Sequence, residues 1–163
     1  MANAHLASYL NDHLAGSVVA LDMLEELETT HAHTPLADFF SKLKTDIEAD
    51  RQELETLMGR LEISESRPRK AAAWLAEKVT ELKLRLDDSK DGELRLFESL
   101  EALSLGIEGK KSLWLALSAA SQDNPALGLA DYERLIQRAA EQRGRVETKR
   151  LETAPKALAQ RQP

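Results

Sequence analysis

Cysteine is absent from this chain of 163 residues, which excludes a disulfide framework, thiolate metal sites and cysteine nucleophiles. Glycine and proline are scarce, at seven and five residues, too few for the frequent turns of a β protein. No apolar run reaches the roughly 20 residues that a membrane-spanning helix needs. The opening Met1-Ala2-Asn3-Ala4-His5 lacks the charged and apolar regions of a signal sequence. An excess of base is missing too: 22 Lys and Arg face 28 Asp and Glu, a formal charge of −6, which argues against nucleic acid as the main partner. No Gly-rich phosphate loop, nucleophile elbow or His-Glu-x-x-His segment is present, so the common motifs of phosphate, acyl and zinc chemistry are lacking. What is there is 42% hydrophobic and 31% charged, too apolar for a disordered chain. At this length folding buries roughly 68–70% of the surface. The expectation is one soluble, cytoplasmic domain over residues 1–163 with no cofactor, no nucleic-acid partner and no membrane contact.

Ala, Leu, Glu, Lys, Arg and Gln dominate, all strong helix formers. Leu6, Leu10, Leu14, Leu21 and Leu24 fall on one helical face and predict a helix over 4–29. Thr34-Pro35 restarts the chain as N-cap and first helical residue. The second helix, 35–62, is expected to bury Leu36, Phe40, Leu43, Ile47, Leu54 and Met58. The short link makes these two helices an antiparallel hairpin. A shorter amphipathic helix over 68–87 shows Trp74, Leu75, Val79, Leu82 and Leu86 on its apolar side. Asp87 to Gly92 breaks it, and a long helix follows over 92–120. The last helix, 128–158, turns Tyr132, Ile136, Ala139 and Val146 inward, and its apolar content thins into a frayed C-terminal tail.

Four long helices with one long link suit a ferritin-like four-helix bundle, in which a crossover carries an extra short helix between helices 2 and 3. The alternative is an all-antiparallel bundle of five helices. Residues 1–62 hold 12 acidic and 4 basic side chains, and residues 63–163 hold 16 acidic and 18 basic. The halves therefore differ in sign, −8 against +2, and are expected to attract each other across the bundle. Leu94, Leu105 and Leu113 lie on the outer arc of the third long helix. They are expected to meet the crossover helix or, in a homodimer, a second chain. No other protein partner is identified.

Helical phase sets polar groups inside the apolar arcs: His13, Asp50 and Arg51, Glu101 and Glu108, and Arg143. Three accounts compete for them. A di-iron or di-manganese carboxylate centre, in an oxidase or storage protein, needs Glu-x-x-His pairs on two helices. Glu48-x-x-Arg51 and Glu147-x-x-Arg150 place a guanidinium, which has no lone pair to donate, where imidazole is required. Glu28-x-x-His31 has the spacing but lies in a terminal turn. The second account is an internal network in which Arg51 and Arg143 neutralise the acids and fix helix register. The third lets these side chains snorkel to the surface. His13 reads as an interior histidine and His31 and His33 as solvated loop residues. No catalytic residue and no metal ligand is assigned.

Tyr9-Leu10-Asn11-Asp12-His13-Leu14-Ala15-Gly16, Asp46-Ile47-Glu48-Ala49-Asp50-Arg51, Ala73-Trp74-Leu75-Ala76-Glu77-Lys78 and Leu100 to Lys110 resemble a group of uncharacterised bacterial ferritin-like four-helix-bundle proteins. The resemblance spans about residues 6–150. It implies the ferritin-like fold and brings no assigned activity, and no metal role is carried over.

Overall fold

The computed structural model describes residues 4–66, Glu77 and 92–159. The helix expected over 68–87, with Trp74, lies outside the described residues. Among them the chain is all-helical, with four long helices packed on one another: α1 (Ala4–Thr30), α2 (Pro35–Arg60), α3 (Gly92–Ala120) and α4 (Tyr132–Ala157). Thr34 caps α2, its hydroxyl accepting the Leu36 N–H at 3.2 Å, and Pro35 occupies the first turn. Both choices satisfy or remove a backbone donor that a helix start would leave orphaned. Residues Pro125–Leu127 form a single 3-10 turn, and Asp131 caps α4 by accepting from the Arg134 N–H. The last helix therefore starts at Tyr132, four residues later than its sequence pattern predicts.

The end of α2 is a Schellman motif. The Glu62 N–H donates to Gly59 and the Ile63 N–H to Met58, with Glu62 at φ 56° in the left-handed region. Ile63 is buried against the core beside Met58, the apolar contact that accompanies this cap. Asn11 of α1 then holds the chain that leaves α2. Its amide donates to the Ser64 carbonyl at 3.2 Å, and its Oδ1 accepts the Ser66 N–H at 2.7 Å.

The tightest packing is α3 against α4 and α1 against α2, and the hairpins meet where α1 touches α3 and α2 touches α4. The bridging pairs show the directions. Glu26 near the end of α1 meets Arg95 near the start of α3. Along α2, Asp46, Asp50 and Glu53 meet Arg145, Arg138 and Arg134 of α4 in reverse order. Adjacent helices across the hairpins are thus antiparallel, so α2 and α3 run the same way, and α2 ends at the opposite end of the bundle from the start of α3.

The core divides in two along the bundle axis. One cluster gathers Leu24, Phe40, Leu43, Ile47, Leu100, Ile107, Ala139 and Val146 with their neighbours. The other gathers Leu10, Leu14, Leu54, Met58, Trp114, Leu117, Tyr132 and Leu135. Between Ile47 and Leu54 on α2, Ile107 and Trp114 on α3, and Leu135 and Val146 on α4 lies a polar layer.

Candidate functional site

Asp50 is the centre of that layer. It is 2% exposed, a position at which a lone carboxylate would be strongly disfavoured. Four N–H groups compensate it. Oδ1 accepts from Arg138 twice, through Nε at 2.6 Å and through a terminal guanidinium nitrogen. Oδ2 accepts from the Gln142 amide at 2.8 Å and from Lys110 Nζ. Lys110 also donates to Gln142 Oε1, so the buried Gln142 side chain both donates and accepts. Three helices supply one closed set: α2 the acid, α3 a primary amine, α4 a guanidinium and an amide.

Charge-assisted bonds of this type are about twice as strong as neutral ones. Two cations share one carboxylate, and both lie nearer to solvent than Asp50 does, with side chains 16% and 27% exposed for Lys110 and Arg138. Burial pushes the Lys110 ammonium below the usual lysine range, and Asp50 pulls the other way.

The residues that sequence phase points inward are distributed differently. Asp50 is in the buried layer. Arg51, its neighbour, turns out of it and pairs along its own helix with Glu55 at 2.6 Å. Glu101 is exposed and accepts from Arg150 at 3.2 Å. Glu108 and Arg143 meet at the rim at 3.3 Å, where Lys111 also holds Glu108 at 2.9 Å. Those bonds, with Lys111 first, keep the Glu108 carboxyl below its ordinary range. His13 is half-buried and presents its ring edgewise to Tyr9, with centroids 4.8 Å apart. Burial lowers its pKa against the pull of Asp12.

On α4 the buried side chains are Tyr132, Leu135, Ala139, Gln142 and Val146, a strict alternation of three, four, three and four. Tyr132, Ala139 and Val146 are buried as the sequence pattern predicts, while the stripe also takes in Leu135 and Gln142, leaving Ile136 half-buried at its edge and Arg143 at the rim. Sequence reasoning passed over Lys110, Arg138 and Gln142. The signal for Lys110 was its place on the row Leu103, Ile107, Lys110, Trp114 and Leu117, which is otherwise apolar.

A second built feature lies on the α3–α4 side. Arg150 forks onto Glu147, with Nε at 3.0 Å and a terminal nitrogen at 2.8 Å. The guanidinium first, then the Ser104 hydroxyl, hold the Glu147 carboxyl down at about 2. The Arg150 guanidinium also lies 5.4 Å from the Phe97 ring centre.

Ion pairs that join the two hairpins among the described residues include Glu26–Arg95, Asp46–Arg145, Asp50–Lys110, Asp50–Arg138 and Glu53–Arg134. In each, the acid belongs to the first hairpin and the base to the second, the sense of attraction that the −8 and +2 halves imply. Among the described residues no group of three or more His, Cys, Asp and Glu side chains could hold a metal ion, and no helix is long and apolar enough to cross a membrane. No family model, curated protein or solved structure matches the chain.

Proposed function

We propose that this chain is a non-enzymatic interaction or accessory protein, a helical bundle of ferritin-like connectivity in which an ion-pair layer stands where such bundles hold metal. The observation that carries the reading is the buried Asp50. Both of its oxygens are occupied by N–H donors from Lys110, Arg138 and Gln142. A divalent ion would have to displace charge-assisted bonds and face two cations at close range. In ferritin-like metal proteins the interior instead presents several carboxylates and two imidazoles. The parallel course of α2 and α3 supports a long crossover between them, and the proposed helix over 68–87 belongs to that crossover.

Such a layer contributes specificity of register more than net stability. An accessory protein needs that rigidity to present constant outer faces to a protein partner. Elemental analysis of the purified protein, with thermal melts in Fe(II) and Mn(II), tests the reading. The expected result is no stoichiometric metal and an unmoved melting temperature. One transition metal per chain, lost on Asp50→Ala, would replace it with the metal-dependent oxidase or storage reading.

A further inference from the structure

We draw no further inference here: the strongest candidate, the outer surface patch of α3 that exposes Leu105 and Leu115 beside the carboxylates of Glu101 and Glu108, carries nothing, because nothing in the structure shows what covers it.

Discussion

Asp50 shows how much one buried charge can decide. Removing it leaves the Lys110 ammonium and the Arg138 guanidinium facing each other without their shared carboxylate. Loss of one partner from a buried pair costs about 3–5 kcal/mol, so Asp50→Ala should lower the urea midpoint by that equivalent. Asp50→Ala combined with Lys110→Met and Arg138→Met should cost less than the three single losses added together, because the groups act as one set. Additive losses would show that Asp50 is not coupled to these cations. Glu147 gives the molecule an acid-sensitive contact. Its carboxyl lies at about 2 in the fold, against about 4.3 in an unfolded chain. The unfolded state binds the proton first on acidification, so the Glu147 contribution is complete above the unfolded value and is lost as pH falls towards 2. Arg150→Met should therefore flatten the acid limb of the stability profile below about pH 4.5, measured by chemical denaturation at fixed pH steps. At this scale Asp50 was legible in sequence because it interrupts an apolar stripe between Ile47 and Leu54. Arg138 was not, since it sits beside the inward line and reaches the layer through its length.

Helix ends were the most legible elements. Thr34-Pro35 announces the start of α2 by the same hydrogen-bond arithmetic that the structure uses. The stop of α2 is less evident, because Glu62 occupies the left-handed position that glycine usually fills. A non-glycine residue there costs about 1–2 kcal/mol. Glu62→Gly is expected to raise stability by about 1 kcal/mol, read from the denaturation midpoint at unchanged slope. A neutral or destabilising result would mean that the Glu62 side chain contributes an interaction that offsets its backbone cost. On α4 the pattern sets Tyr132, Ala139 and Val146 inward and the structure buries all three. Only the edge of the stripe differs, because Ile136 and Leu135 are equally apolar and periodicity alone does not choose between neighbours at the margin of an apolar arc. Packing against α2 and α3 selected Leu135 and Gln142.

At the scale of the whole molecule, the two hairpins are held together by a seam of fixed polarity, acid on α2 and base on α4. Its outer pairs, Asp46–Arg145 and Glu53–Arg134, are partly exposed, and such pairs contribute only about 0.2–1 kcal/mol each. Arg134→Glu with Arg145→Glu sets like charges along the seam and should destabilise the bundle by about 1–2 kcal/mol at low salt. Reversing Asp46 and Glu53 to arginine as well should restore most of that loss. At 1 M salt, where screening acts over about 3 Å, the penalty should shrink, while that of Asp50→Ala persists. A salt-independent penalty for the outer pairs would place them in a drier setting than their exposure indicates.

Composition and periodicity by themselves determined the all-helical class, the four long helices and the opposite charge of the two halves. Each of these follows from local propensity, the 3.6-residue repeat or simple counting, none of which needs a neighbouring helix. Tertiary structure alone decided that Lys110, Arg138 and Gln142, not Arg51 and Arg143, close around Asp50, and that Arg51 turns along its own helix to Glu55. Those outcomes depend on helix rotation and on how far a long side chain reaches across a packed core, and both are settled only when the helices meet.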